Sequence, residues 1–158
     1  MTRAMYPGSF DPVHVGHVDV VEVAATVFDE VVVVAMYNLE KPGFFPLEER
    51  QALLDETFAH LDNVSTTSAT GLVIDAALAL QAPVIVKGLR SAADLDIEMQ
   101  MAQTNKSVTG VQTLFVPTEP EHSFVSSRFI REISSHGGAV DHLVPPAVAK
   151  ALIGRDPS

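Results

Sequence analysis

The stretch YPGSFDPVHVGH, residues 6–17, decides the reading of the fold. A short apolar run, Arg3 to Tyr6, precedes it. A helical pattern follows from about Gly16 to Phe28, with Val20, Val21, Ala24, Val27 and Phe28 recurring at helical spacing. Within the stretch, Pro7 and Gly8 permit a sharp exit from an extended segment, and Asp11-Pro12 turns the chain toward the helix. The local order is strand, tight loop, helix.

Outward from this stretch the same alternation continues. EVVVVAM, residues 30–36, is a continuous β-branched run, the composition of a strand covered on both faces. A loop with Lys41, Pro42 and Gly43 leads to a helix from about Leu47 to Phe58, with Leu47, Leu54 and Phe58 on one face. Asn63 to Thr67 reads as a weaker strand, Leu72 to Leu80 as a helix, and APVIVKG, residues 82–88, as another buried strand. Asp94 to Gln103 is a further helix and VQTLFVP, residues 111–117, the fifth strand. Ser126 and Ser127 then stand at a helix start, Phe129, Ile130 and Ile133 supply its apolar face, and Gly137-Gly138 stop it. A short helix from Pro145 to Leu152 comes last. Five strands, each followed by a helix, predict an α/β fold: a doubly wound, parallel five-stranded sheet with right-handed crossovers.

Composition bounds the function. The chain has 158 residues, 47% of them hydrophobic, enough for one sizeable core, which predicts a single domain over 1–158. No cysteine is present, which excludes disulfides, thiol catalysis and Cys-type zinc sites. No apolar run approaches the ~20 residues of a membrane-spanning helix, and no signal-peptide pattern opens the chain, so a soluble cytoplasmic protein without a membrane partner is expected. The net charge of −10 argues against a general grip on nucleic acid. An anionic ligand would have to be held by local cations.

Those cations are unevenly spread. Lys41 follows the second strand, Lys87 and Arg90 the fourth, and Arg128 and Arg131 the fifth, half of the ten in the chain. In doubly wound sheets ligands bind beyond the carboxyl ends of the strands, so this placement points to phosphate. Neither G-x-G-x-x-G nor G-x-x-x-x-G-K-[ST] occurs, so the opening loop must bind phosphate differently. Its Ser9 and Phe10 N–H groups can cradle a phosphate oxygen, and His14 and His17, three apart, share a face in a first helical turn whose dipole favours an anion. Gly16 between them lets a ligand approach the backbone. Two other readings are a metal site, which lacks an H-E-x-x-H pattern or third ligand, and plain helix capping.

At this point YPGSFDPVHVGH resembles the signature of the nucleotidylyltransferase superfamily, in which a [HT]-x-G-H motif after the first strand holds nucleoside triphosphate. SFVSSRFIREI, residues 123–133, is similar to that superfamily's late serine-rich motif at a helix start, which contacts the β and γ phosphates. PGSFDP, the loop lysine before FPLEER, VKGLR with EMQMAQTNK after it, and SFVSS occur in the order of the phosphopantetheine adenylyltransferase family, and the likeness covers nearly the whole chain. The resemblance implies a Rossmann-like nucleotidylyltransferase fold and a step of coenzyme A biosynthesis: AMP passes from ATP to 4′-phosphopantetheine, giving dephospho-coenzyme A and pyrophosphate, with Mg2+. It also implies a homohexamer, with coenzyme A as a feedback ligand. No covalent nucleophile is expected, because the acceptor is already an anionic phosphate that needs alignment and charge stabilisation.

The resemblance also implies site residues. His17 would stabilise the transition state at the α-phosphate, with Lys41 and Arg90 as further catalytic cations. ATP would be held by Ser9, Phe10, His14 and His17, by the turn Gly88, Leu89 and Arg90, by Glu98, and by the late loop His122, Ser123, Phe124, Val125, Ser126, Ser127 and Arg128. The acceptor would be held by Ser9, Lys41, Val73 and Lys87, and no residue is assigned as a metal ligand. Three positions depart from the family: His14 stands where threonine is usual, Arg128 replaces a third serine, and DLDIE, residues 94–98, lacks the common aromatics. The alternatives are a related adenylyl- or cytidylyltransferase with another phosphorylated acceptor, and a noncatalytic nucleotide-binding protein on the same fold.

Overall fold

A computed structural model describes residues 1–155. The chain runs β1 (Arg3–Gly8), α1 (Val15–Val27), β2 (Glu30–Tyr37), α2 (Leu47–Phe58), β3 (Val64–Thr70), α3 (Val73–Ala79), β4 (Val84–Leu89), α4 (Ala92–Thr109), β5 (Gln112–Pro117), α5 (Ser127–Ser135) and α6 (Pro146–Ile153), with 3-10 turns at Pro120–His122 and Asp141–Leu143. All five strands are parallel, in the order β3-β2-β1-β4-β5. β1 and β2 sit centrally and bury Ala4 to Pro7 and Val31 to Ala35, which explains their unbroken apolar runs. The edge strands β3 and β5 are largely half-buried or exposed.

The larger core lies on the face covered by α1, α2, α5 and α6, around Val20, Val21, Phe45, Leu54, Phe58, Ile130 and Val148. The smaller lies on the α3 side, around Met5, Val34, Ala76, Ala77 and Ile85. Helices on both faces make the sheet doubly wound.

The register shows where the sheet opens. β1 stays paired with β2 as far as Gly8 and Ala35, and β4 with β5 as far as Leu89 and Pro117. Between β1 and β4 pairing ends at Met5 and Ile85. The halves of the sheet therefore part at their carboxyl ends, between the two strands where the strand order reverses. Ligand crevices of doubly wound sheets form at this point.

Several expectations are corrected. The helix expected over Asp94–Gln103 extends from Ala92 to Thr109 and ends at Gly110, whose φ of 80° makes a left-handed cap. Thr104 to Thr109 carries little apolar periodicity, so its helical state was hidden. In α5 only Ile130 is buried; Phe129 and Ile133 are exposed, so the expected apolar face does not face the core. Val27 of α1 also points outward. β3 runs on to Thr70, its register with β2 carrying it past the weak run at Asn63–Thr67.

Candidate active site

A cavity of about 420 Å³ occupies the opening beyond β1 and β4. The β1–α1 loop forms its floor. Phe10 there has φ 47°, a left-handed conformation rare for a residue with a side chain, and its buried ring packs edge-on against Tyr6 and His17, with centroids 5.3 and 4.8 Å away. Burial pushes the Tyr6 phenol up, so it stays neutral. A Cβ at Gly8 would stand 3.1 Å from the Phe10 ring, and one at Gly16 would meet His14 Cε1 at 2.9 Å, so glycine is what lets the loop close on itself.

The loop's carboxylate is structural. Asp11, 7% exposed, accepts from the Phe44 N–H through Oδ2 (2.7 Å) and from the Phe45 N–H through Oδ1 (2.8 Å), tying the β1–α1 loop to the β2–α2 loop. The loop's carbonyls are taken up too. Arg50 Nη1 donates to Ser9 O (3.0 Å), Arg131 Nη1 to Asp11 O (2.8 Å) and Ser127 Oγ to Pro12 O (2.8 Å).

The two histidines start α1 by capping each other's backbone. His14 is the N-cap and its Nδ1 accepts from the Gly16 N–H at 3.0 Å; His17 Nδ1 accepts in turn from the His14 N–H at 3.0 Å. Because each Nδ1 is an acceptor, a neutral ring carries its hydrogen on Nε2. The rings stack with centroids 3.6 Å apart. Burial first, and then Arg90 and His122 nearby, lowers His14 to about 3. His17 is also held well below the ordinary value, by burial first and then by His14, Arg90 and Lys87. Both rings are therefore neutral at physiological pH, each with an Nε2–H free of the cap. The capping reading and the phosphate-donor reading are compatible, since they use different ring nitrogens.

Opposite them stand the cations. Lys87 Nζ lies 3.6 Å from Glu98 Oε1, and Arg90 Nε 3.7 Å from Asp94 Oδ2. Arg90 Nη1 also donates to Val125 O (2.9 Å), which joins the β4–α4 turn to the late loop. Gly88 is packed so closely that a Cβ would stand 2.9 Å from Val20 Cγ2. Ser126 is the N-cap of α5, its Oγ accepting from the Phe129 N–H at 3.2 Å. Asp19 of α1 lies 2.6 Å from His122 Nδ1 and fixes the late loop against the histidine helix.

Of the residues expected from sequence, the cavity brings together Ser9, Phe10, His14, His17, Lys87, Gly88, Arg90, Glu98, Ser126, Ser127 and Arg128. Val73 lines a small adjoining cavity that shares Pro7, Lys87 and Glu98 with the first. Lys41 is not on the wall; it is exposed on the β2–α2 loop, its N–H donating to Asn38 O. Leu89, His122, Ser123, Phe124 and Val125 do not line the cavity either: Val125 is buried, Phe124 is exposed, and His122 faces Asp19. Arg131, counted among the phosphate-side cations for its place after the fifth strand, also lines the cavity. Sequence reasoning missed Asp94, Tyr6 and Thr118 as wall residues, and Asp11, Asp19 and Arg50 as supports.

Comparison with known proteins follows the same outline. The cytidylyltransferase-like family model matches residues 5–133. The chain is 47% identical over 155 residues to the phosphopantetheine adenylyltransferase of Streptomyces coelicolor, covering 98% of each chain. A solved structure of a Vibrio parahaemolyticus protein assigned as a nicotinate-nucleotide adenylyltransferase superposes with a TM-score of 0.69 at 19% identity, covering 98% of this chain and 100% of that one. The lipopolysaccharide core biosynthesis protein of Thermoplasma volcanium superposes with a TM-score of 0.54 at 24% identity, over 75% of this chain and 97% of the other. These two likenesses carry the fold alone.

Proposed function

The chain belongs to the phosphopantetheine adenylyltransferase family, within the cytidylyltransferase-like group, and from that premise we infer that it transfers AMP from ATP to 4′-phosphopantetheine, giving dephospho-coenzyme A and pyrophosphate. The geometric observation that carries the reading is the pair of neutral imidazoles, each with a free Nε2–H, beside Lys87, Arg90, Arg128 and Arg131 in one cavity.

In the reaction, an acceptor phosphate oxygen attacks the α-phosphorus, an O–P bond forms, and the bond from that phosphorus to the bridging β-phosphate oxygen breaks. The electron pair leaves with pyrophosphate. The acceptor phosphate needs no base, so the protein aligns two anions and stabilises charge on the α-phosphate oxygens. His17 Nε2–H donates there, with His14 beside it. Arg90, Arg128 and Arg131 oppose the β and γ phosphates together with the N–H groups at the start of α5, where the helix dipole favours an anion. Lys87 lines both cavities, so it would stand between nucleotide and acceptor. Lys41 would meet the acceptor from the β2–α2 loop, and Val73 would pack against its apolar arm.

Mg2+ is proposed as the nucleotide's counter-ion. Among the described residues no group of three or more His, Cys, Asp or Glu could hold a metal. The ion would therefore be bound by phosphate oxygens and water, neutralising triphosphate charge. A cytoplasmic location, coenzyme A as a feedback ligand and a homohexamer complete the proposal. Among the described residues no helix is long and apolar enough to cross a membrane. α4 has no buried residue and exposes Ile97, Met101 and Val108, a face that a second copy of the chain would cover.

The test is direct. Purified protein with ATP, Mg2+ and 4′-phosphopantetheine should yield dephospho-coenzyme A and pyrophosphate by mass spectrometry. Absence of both products from correctly folded protein overturns the proposal, and other phosphorylated acceptors run in parallel report a different specificity.

A further inference from the structure

Arg50, on α2, lies beneath the phosphate loop rather than in the cavity. It is 6% exposed, and its Nη1 donates to the Ser9 carbonyl at 3.0 Å. Among the described residues no carboxylate oxygen lies within 4.0 Å of it, and its Nε has no hydrogen-bond partner. A guanidinium taken out of water without an opposite charge is costly, so stability does not explain its presence.

Its effect on the loop does. Among the described residues the only cis peptide bond is Asp11–Pro12, so the Ser9–Phe10 peptide is trans. Across a trans peptide the carbonyl and the N–H point to opposite sides. Drawing Ser9 O toward α2 turns the Phe10 N–H away from α2, toward the cavity that Ser9 and Phe10 line. A charged donor on the carbonyl also polarises the peptide and strengthens the N–H as a donor. The bond lies next to Phe10, whose φ of 47° is a conformation that persists only when its surroundings impose it.

We propose that Arg50 is a positioning residue for adenylyl transfer: by holding the Ser9 carbonyl from below, it aims and strengthens the Phe10 N–H as a donor to the triphosphate. This rests on the adenylyl-transfer reading of the site. Arg131 on Asp11 O and Ser127 on Pro12 O extend the pattern, in which loop carbonyls are occupied from the protein side.

The test uses Arg50→Met, Arg50→Gln and Arg50→Lys, read by steady-state kinetics, thermal melting, binding of a nonhydrolysable ATP analogue and the Phe10 amide 15N resonance. Arg50→Met should melt no lower than wild type yet lose about 100-fold in kcat/KM for ATP, the scale of a mispositioned reacting group. The KM for the acceptor should stay nearly unchanged. The Phe10 15N resonance should move, because the hydrogen bond on the preceding carbonyl is gone. Arg50→Lys should recover part of both losses. Activity within threefold of wild type in Arg50→Met, or an activity loss matched by a loss of folded protein with an unmoved Phe10 resonance, overturns the proposal. If Arg50→Met does not fold, Arg50→Gln against Arg50→Lys makes the same comparison. If the wild type forms no dephospho-coenzyme A, the functional reading fails instead; analogue affinity and the Phe10 resonance then still decide whether Arg50 organises a phosphate cradle.

Discussion

His17 Nδ1 accepts the amide of the helix N-cap while its Nε2 hydrogen remains for a ligand, so alanine there removes a cap and a donor together. His17→Ala should lower kcat by about 100- to 1,000-fold, the scale of a lost transition-state donor, and stability by about 1 kcal/mol, the scale of a lost cap. His17→Gln, glutamine being a natural partner at this capping position, should recover the stability and little of the rate. Urea titration beside single-turnover kinetics separates the two. Both histidines contribute to the pH dependence, each held below its ordinary value by burial first. For His14 the folded-state value of about 3 lies below the ordinary 6.5, so between those pH values the unfolded chain binds the extra proton. The stability is fully present above pH 6.5 and is lost as pH falls, by up to about 1.4 kcal/mol per pH unit. His14→Thr, which keeps a capping oxygen but cannot take the proton, should reduce the slope of unfolding free energy against pH by about that amount between pH 4 and 6. An unchanged slope would mean that His14 is not held neutral. The sequence showed these two histidines as a pair of donors. It did not show which nitrogen each would use, because that depends on the backbone of the turn they start.

The loops meet through side chains that belong to neither the strand nor the helix pattern. Asp11 read as a turn residue, yet it satisfies the N–H groups of Phe44 and Phe45, more than thirty residues away. Asp11→Ala should cost about 2–5 kcal/mol, since two amides in a partly buried junction lose their acceptor. It should also raise the KM for the acceptor by freeing the loop that carries Lys41. Chemical denaturation and initial-rate kinetics measure both. Gly88 is a packing requirement between β4 and α1: Gly88→Ala places a methyl group 2.9 Å from Val20 Cγ2 and should destabilise by about 1–3 kcal/mol. A melting temperature equal to wild type would show that the strand end can shift freely. Such long-range contacts have no period and no short spacing, so Arg50, Asp11 and Asp19 stayed illegible. The elements themselves were readable because buried β-branched runs and the Gly or Ser stops around them are local signals.

Across the whole molecule, the alternation of runs gave the strand count and the parallel sheet, and the position of the cations gave the end of the sheet at which to look. The width of the opening was not readable, since it follows from β1 and β4 parting after Met5 and Ile85. α4 was underestimated for a related reason. With no residue buried, it lacks the one-sided apolar pattern that marks a helix packed on its own core. Sedimentation should give a mass near six times the 16.9 kDa of one chain, and a charge at Val108, 68% exposed on α4, should shift it downward. A monomer at micromolar concentration would leave that face without the proposed cover.

The reciprocal histidine cap restricts how this protein can change. Active sites commonly hold residues at odds with folding, so that inactive variants are often sturdier than the parent. Replacing Arg50 follows that rule. At His14 and His17 the rule reverses, because the bonds that begin α1 also select the tautomers of two rings that line the cavity. A search for thermostable variants should therefore leave these two positions untouched without any selection for activity.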